Sequence, residues 1–293
     1  MRPTAAAVRA GRAGPTALRY LVVSPDAHSI LTDKSYLTTV QYQTGANLAA
    51  RQSIYAFQRP KIDLVAAVLG LAGLGGAETV ADIGCGNGIY LAGLASRRHA
   101  GRVLGVDLSP GMLAAAKGAA PGAGLAVGDA ATLPLADGVA DITLAPHMLY
   151  HVPDARAAVA ELRRVTRPGG QLLVVLNGAD HLAELRELIV ATAAAAGQPT
   201  AAVVAEYEAS YRSVTLDTGA ELLAEVFSSV QRHDFTGELL LAEAQPVAGY
   251  VASMRAEGMP DPDGFTRAVC ARIPFGPDGI FRVRTHCGLL ICR

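Results

Sequence analysis

The sequence predicts an α/β fold built on a mainly parallel sheet. From residue 79 onward, short apolar runs alternate with amphipathic helical patterns, which is the order of successive β-α units. The first run leads directly into a glycine-rich turn. The 293 residues, of which 51% are hydrophobic, also supply a substantial core. The predicted strands are 79–83, 102–106, 125–127, 141–145, 171–176, 229–241 and 288–292.

The helical patterns and loop residues predict how the chain is divided. Val159, Leu162 and Val165 recur at helical spacing, and Pro168-Gly169-Gly170 is expected to end that helix and turn the chain into the next strand. We predict an N-terminal lid or tail over 1–60, a core over 61–177, an inserted helical cap over 178–216 and the remainder of the core sheet over 217–293. The lid segment is rich in tyrosine, with Tyr20, Tyr36, Tyr42 and Tyr55.

Composition excludes several function classes. The 25 basic and 26 acidic residues leave a net charge of -1, so no nucleic-acid footprint is expected. The longest apolar stretch, near 64–74, is interrupted by Gly70 and Gly73 and is too short for a membrane span. Four cysteines without a C-x-x-C pair indicate a reducing cytoplasm and no structural metal. We expect a soluble, cytoplasmic protein with a small-molecule partner, and a homo-oligomer is compatible with this reading.

The turn Asp82-Ile83-Gly84-Cys85-Gly86-Asn87-Gly88 predicts a place where backbone meets a ligand, because glycines leave no Cβ in the way. A tight turn in an α/β protein without a ligand is the simplest alternative. A dinucleotide site is another, but its G-x-G-x-x-G pattern would need a third glycine where Ile89 stands. A carboxylate at Asp82 would repel a pyrophosphate and would pair with an ammonium. The chemistry therefore favours a zwitterionic ligand.

Two later carboxylates extend this site. Asp107 follows the second strand and can accept from both hydroxyls of a ribose. Its alternative role is a helix N-cap, but Ser109 before Pro110 already supplies one. Asp129, in Gly128-Asp129-Ala130, can accept from an adenine amino group, although Gly-Asp is also an ordinary turn pair. Together with Asp82 they describe a site for an adenosine joined to an amino acid.

Five motifs in order make the chain resemble a known family. They are Asp82-Ile-Gly-Cys-Gly-Asn-Gly, Val106-Asp-Leu-Ser, Gly128-Asp-Ala, Leu149-Tyr-His-Val-Pro-Asp and Arg167-Pro-Gly-Gly. Over about residues 78–177 the chain resembles the class I S-adenosylmethionine-dependent methyltransferases, in the small-molecule group of type 11-like domains. Its Ala- and Gly-rich composition is similar to that of actinomycete natural-product methyltransferases. The resemblance implies a Rossmann-like seven-stranded sheet with an antiparallel last strand, helices on both faces and S-adenosylmethionine as cofactor.

The resemblance also implies which residues contact the cofactor. Asp82, Gly84, Cys85 and Gly86 would face its methionine part, Asp107 the ribose, Leu108 and Met112 the adenine flank, and Asp129 and Ala130 the adenine edge. Arg51, in Asn47-Leu48-Ala49-Ala50-Arg51, resembles an arginine that binds the cofactor carboxylate, and its alternative is a solvated helix residue. Pro146 replaces the small or amide residue common at the fourth strand's exit, which changes the backbone contact to the cofactor expected there.

Methyl transfer is an in-line displacement, so the acceptor atom must lie about 3 to 3.5 Å from the methyl group. A base is needed only if the acceptor must lose a proton. The candidates are His147, Tyr150 and His151 at the fourth strand's exit, with Tyr36 and Tyr42 on the lid. Tyr150 and His151 match residues common in the family whatever the substrate, and the lid tyrosines have core packing as an alternative role.

By resemblance, we expect the acceptor to be a small aromatic or heteroaromatic secondary metabolite, with indole C-methylation as one case. O- or N-methylation of another metabolite and a non-catalytic S-adenosylmethionine-binding protein stay open, and Ile89 and Asp82 disfavour an NAD-dependent reductase.

Overall fold

The computed structural model describes residues 32–197, 199–211, 213–254 and 259–293. Tyr20 and the first 31 residues of the predicted lid lie outside the described residues. Within them, eight strands form one mixed sheet in the order β1-β7-β8-β6-β5-β2-β3-β4. The strands are β1 Gln58–Arg59, β2 Val80–Ile83, β3 Val103–Asp107, β4 Gly124–Val127, β5 Ala140–Pro146, β6 Thr166–Asn177, β7 Val230–Leu241 and β8 Phe281–Cys292.

The strand directions confirm the predicted α/β sheet. Strands β2 to β6 run parallel to one another. The last strand, β8, lies between β6 and β7 and is antiparallel to both. These seven strands are the sheet that the sequence predicts. The eighth, β1, adds only Gln58 and Arg59 beside β7, and two residues are too few for a strand pattern to be visible in the sequence.

The helix before β6 ends at Val165, ahead of Pro168-Gly169-Gly170, and the prediction that these three residues end the helix and form the turn is wrong. These residues lie inside β6, which starts at Thr166. They form a bulge, because Ala140 pairs with Thr166 whereas Ile142, two residues later, pairs with Gln171. Gly169 adopts a φ of 78° there. Proline and glycine serve this bulge for the same backbone reasons that made them resemble a turn.

Helices cover both faces of the sheet, as predicted. Within β6, Leu172 and Val174 pack against one set of helices, and Leu173 and Val175 pack against another. Because neighbouring residues of a strand point to opposite faces, this apolar run is buried on both sides. The helices are α1 Lys34–Tyr36, α2 Ala46–Ser53, α3 Leu64–Leu71, α4 Ile89–Ser96, α5 Pro110–Ala119, α6 Ala155–Val165, α7 Ala183–Ala196, α8 Thr200–Tyr211, α9 Leu216–Ala224, α10 Gln245–Ser253 and α11 Pro262–Cys270, with a π turn at Leu37–Gln41 and 3₁₀ turns at Ile54–Phe57 and Leu149–His151.

A separate apolar cluster forms above the carboxyl ends of the strands. Leu185 of α7, Val251 of α10 and Val269 of α11 pack there with Ile54 of the N-terminal segment. The far ends of β7 and β8, including Leu241, join the same cluster. The helices between β7 and β8 thus pack with the segment predicted as an inserted cap. Among the described residues, no helix has both the length and the apolar character needed to cross a membrane.

Candidate functional site

A cavity of about 480 Å³ lies at the carboxyl ends of β2, β3, β4 and β5. On the sheet side, 83–87, 106–109, 128–130, 146–148 and 150–153 line it. On the other side it meets the N-terminal segment, the start of the cap, α10 and β8. Strand β2 stands where the strand order reverses, which is where α/β sheets open a crevice for ligands. Every candidate residue from the sequence lines this cavity except Asp82 and Tyr36.

The glycine loop after β2 needs glycine at specific positions. Gly84, Gly86 and Gly88 have φ values of 69°, 53° and 82°, in the left-handed region. A Cβ at Gly84 would lie 2.7 Å from the Cβ of Met148, and one at Gly88 would lie 2.8 Å from the Cα of Ala116. The loop therefore packs closely against its neighbours while Gly84 and Gly86 present backbone to the cavity.

Asp82 lies beneath this loop and is completely buried. Neither of its carboxylate oxygens has a hydrogen-bond partner among the described residues. Burial, with a smaller contribution from the charge of Asp107, raises the pKa of Asp82 to about 8. The cavity wall itself is formed by the next residues, Ile83 and Gly84. A buried carboxyl without a partner is costly unless a ligand supplies one, so Asp82 fits a site for a cationic group.

Asp107 closes the tip of β3 beside the loop. Its Oδ2 accepts from the backbone N–H of Gly86 and its Oδ1 from that of Ser109, both at 2.8 Å. Burial outweighs these hydrogen bonds and raises the pKa of Asp107. Each oxygen keeps a further lone pair, so the carboxylate can still accept from a pair of ligand hydroxyls. The Ser109 hydroxyl accepts from the backbone N–H of Met112, which confirms the predicted helix cap.

Asp129 has a partner that the sequence did not indicate. Its carboxylate accepts from the backbone N–H of Ala131 at 2.9 Å and forms an ion pair with Lys34 of the N-terminal segment. Burial opposes ionisation, but the hydrogen bonds from Lys34 and Ala131 outweigh it and lower the pKa of Asp129. Lys34 itself lines the cavity. No motif surrounds Lys34 in the sequence, so only the packing of the N-terminal segment reveals it.

The remaining cofactor candidates also meet the cavity. Cys85, Leu108, Met112, Ala130 and Pro146 contribute side chains or backbone to its wall.

Arg51 projects from α2 and is held by two elements. Its Nε and Nη2 atoms donate to the hydroxyl and carbonyl of Ser253 at 3.3 Å, and its Nη1 atom lies 3.5 Å from the Tyr42 hydroxyl. These contacts favour a site residue over a solvated one.

Four of the five acceptor candidates converge on the cavity. The Tyr42 hydroxyl lies 3.0 Å from Nε2 of His151, and the ring of Tyr150 meets that histidine edge-on with centroids 4.7 Å apart. His147 has a φ of 56°, and burial lowers its pKa to about 4, so it is neutral at neutral pH. Tyr36 is different: it does not line the cavity, and its hydroxyl lies 3.0 Å from the Met254 carbonyl and 3.1 Å from the Gln41 side-chain oxygen. Its surroundings are those of a packing residue of the lid.

A second tyrosine–histidine pair was missed as a candidate. The Tyr55 hydroxyl lies 2.7 Å from Nε2 of His181, and both residues line the cavity. Tyr55 stands in the predicted lid and His181 in the predicted cap, 126 positions apart. No local signal in the sequence joins them. Tyr90 also lines the cavity, and its buried hydroxyl has no hydrogen-bond partner among the described residues.

Comparison with known proteins agrees with this geometry. Residues 81–174 match the family model described as a methyltransferase domain. The chain is 29% identical over 210 residues to trans-aconitate 2-methyltransferase of Methylobacterium radiotolerans, which covers 68% of this chain and 80% of that enzyme. It is 36% identical over 118 residues to malonyl-[acyl-carrier protein] O-methyltransferase of Serratia marcescens, and this alignment covers 40% of this chain but only 46% of that enzyme. With a Streptomyces fradiae transposon protein the aligned part falls to 29% of the relative's length.

A solved structure supports the fold over more of the chain. A proposed methyltransferase of Bacillus halodurans superposes with a TM-score of 0.57 at 20% identity, covering 79% of this chain and 99% of that one. The shared fold therefore extends beyond residues 81–174. Residues 81–174 therefore form a methyltransferase domain, and in its ordered motifs and sheet order the chain is similar to the class I S-adenosylmethionine-dependent methyltransferases.

Proposed function

We propose that this protein transfers a methyl group to a small acceptor bound in the cavity beside Tyr42 and His147. The observation that carries the proposal is that one cavity joins the glycine loop and Asp107 to a cluster of tyrosine and histidine side chains. S-adenosylmethionine supplies an electrophilic methyl group on a sulfonium. The two ends of the cavity supply what such a reaction needs from the protein: a site for the cofactor and a site that aligns the acceptor with it.

The residues of the cofactor end fit S-adenosylmethionine. The unpartnered carboxyl of Asp82 suits its ammonium, directly or through water. Asp107 has lone pairs left for the ribose hydroxyls, and Asp129, on the cavity wall, has lone pairs left to accept from the adenine amino group. Arg51 is a permanent cation on the cavity wall and would bind the carboxylate.

The acceptor end offers a route for a proton. Arg51 can only donate, so the Tyr42 oxygen accepts from it, and the Tyr42 hydroxyl proton can point to Nε2 of His151. In that arrangement Tyr42 would take a proton from an acceptor while passing its own to His151. His147 is a neutral hydrogen-bonding group under the same conditions. If the acceptor needs no deprotonation, these groups serve only to position it.

For the acceptor we propose a small aromatic or heteroaromatic metabolite. Tyr42, Tyr55, Tyr90, Tyr150 and Tyr250 all line the cavity and offer surfaces to a flat ring. Carbon methylation of an indole is one reaction of this kind. The relatives include a malonyl-[acyl-carrier protein] O-methyltransferase, so oxygen is the main alternative as the methylated atom, with nitrogen next.

Cofactor binding and turnover test the proposal together. S-adenosylhomocysteine is titrated by calorimetry into wild type, Asp107→Asn and the control Asp137→Asn, whose carboxylate is mostly exposed. Loss of charge-assisted hydrogen bonds from Asp107 is expected to weaken binding at least tenfold, and the control should leave binding unchanged. Labelled S-adenosylmethionine is then incubated with indoles, phenols and small carboxylic acids. If S-adenosylhomocysteine does not bind wild type, or binds Asp107→Asn equally well, the proposed cofactor site is refuted. Cofactor binding without methyl transfer to any of these compounds favours a non-catalytic binding protein.

A further inference from the structure

The second tyrosine–histidine pair stands at the cap end of the cavity. Tyr55 belongs to the 3₁₀ turn after α2, and His181 follows β6. Their side chains stack with ring centroids 6.0 Å apart, and the Tyr55 hydroxyl lies 2.7 Å from Nε2 of His181. Thr285 and Cys287 of β8, the two chain neighbours of His286, also line the cavity. The pair is distinct from Tyr42 and His151, so its role needs a separate explanation.

The hydrogen-bond partners of His181 fix its tautomer. The backbone N–H of His286 donates to Nδ1 of His181 at 2.9 Å, so Nδ1 has no proton. Burial lowers the pKa of His181 to about 3, and the ring is therefore neutral. A neutral imidazole with a bare Nδ1 has its one proton on Nε2. His181 therefore donates to the Tyr55 oxygen.

This direction leaves the proton of Tyr55 unused. The Tyr55 oxygen accepts from His181, and the described residues offer the hydroxyl proton no acceptor. Burial raises the pKa of Tyr55 well above its ordinary value, so the hydroxyl stays protonated. Tyr55 is partly buried and lines the cavity, so its hydroxyl proton is available to a bound molecule that carries an acceptor atom.

The pair is held rigidly by its surroundings. The ring of His286 lies between two carboxylates, with Nδ1 2.7 Å from Asp180 and Nε2 2.7 Å from Asp234. Gly178 donates its backbone N–H to the carbonyl of His286 at 2.9 Å. These contacts fasten the residues before His181 to β8, and the backbone N–H of Leu182, just after it, donates to the carbonyl of Arg284 at 3.0 Å. The Tyr55 hydroxyl is therefore oriented before any ligand binds, which favours selective recognition.

We propose that Tyr55 is a specificity-determining donor that binds a carbonyl or carboxylate oxygen of the methyl acceptor, with His181 as the residue that positions it. The inference rests on the proposed function and narrows the acceptor to molecules that carry such an oxygen. Tyr55 neither gains nor loses a proton in the reaction. An acceptor without this oxygen would leave the hydroxyl unsatisfied and bind more weakly.

The tautomer is tested without any ligand. Nitrogen spectra of the full-length protein with ¹⁵N-labelled histidine, assigned with His181→Gln, should show the proton of His181 on Nε2 at neutral pH. A proton on Nδ1 would overturn the proposal. This result does not depend on methyl transfer, so a failure here is distinct from a failure of the proposed function.

Selectivity is tested with matched probes. Two pairs of compounds are titrated into the protein saturated with S-adenosylhomocysteine. The first pair is indole-3-acetate and 3-ethylindole, and the second is phenylpyruvate and propylbenzene. We expect the oxygen-bearing member of a pair to bind at least tenfold more tightly, and Tyr55→Phe to abolish that preference while leaving S-adenosylhomocysteine affinity unchanged. His181→Gln keeps a donor and an acceptor and should retain the preference, whereas His181→Leu should reduce it. The proposal is overturned if Tyr55→Phe keeps the preference. It is also overturned if Tyr55→Phe binds S-adenosylhomocysteine more weakly, because that result would assign the hydroxyl to the cofactor.

Discussion

Replacing Asp82 by asparagine should change how many protons are released when the cofactor product binds. The Asp82 carboxyl is buried and its pKa is raised to about 8, so at pH 7 about 0.9 of the molecules hold a proton there. An ammonium bound nearby favours the ionised form. If that pairing lowers the pKa of Asp82 to about 5 or below, wild type releases nearly one proton from this site per S-adenosylhomocysteine bound. Asparagine has no proton to release.

Calorimetry in two buffers of different ionisation enthalpy measures this number directly. At pH 7 the difference between wild type and Asp82→Asn should approach 0.9 proton, and at pH 9 it should fall to about 0.1, because Asp82 is then mostly ionised before binding. Circular dichroism melts establish that the variant is folded. Equal proton release in the two proteins at pH 7 would refute the pairing of Asp82 with the ammonium.

The same carboxyl predicts a difference in stability without ligand. Because the folded-state pKa of Asp82 is raised above its unfolded value, the folded protein binds more protons between pH 4 and 8, and stability from this group falls as pH rises. The slope is about 1.4 kcal/mol per pH unit, with an upper limit of roughly 6 kcal/mol over the window. Urea unfolding of wild type relative to Asp82→Asn should show this loss, and a constant difference would contradict it.

Two further predictions concern the backbone and the partly exposed ion cluster around His286. Gly88→Ala should lower the free energy of unfolding by about 1 to 3 kcal/mol, because Gly88 has φ 82° and a Cβ would meet the backbone of α5. Gly249→Ala, inside α10 with nothing within 4 Å of the added Cβ, should raise it by up to about 1 kcal/mol; equal effects in urea unfolding would contradict the steric reasoning. Burial lowers the pKa of His286, but the hydrogen bonds to its two carboxylate partners outweigh burial and raise the pKa overall. The charged His286 therefore stabilises the folded protein fully below about pH 6.5, and this stabilisation is lost as pH rises through the folded-state pKa. Wild type should therefore lose more stability than His286→Gln between pH 6 and 9, and parallel curves would show that His286 is not charged.

Much of the fold and the cofactor end could be predicted because their signals are local. Alternating apolar runs located all seven of the longer strands. The predicted strands were too short where a bulge at Gly169 or a polar strand end interrupted the apolar pattern. The glycine loop is recognisable because positive φ angles demand glycine at Gly84, Gly86 and Gly88. Asp107 was identifiable because parallel strands end at the same edge of the sheet.

The sequence by itself therefore determined the sheet, the glycine loop and the carboxylates at the strand tips. Only the tertiary structure decided which side chains meet across the cavity. Tyr42 and His151 are 109 positions apart, Lys34 and Asp129 are 95, and Tyr55 and His181 are 126. Such pairs form because the lid and cap pack onto the sheet, and no periodicity or spacing along the chain encodes that packing. The direction of the Tyr55 hydroxyl depends on a still more distant backbone N–H, so the polarity of the cavity is a property of the folded chain.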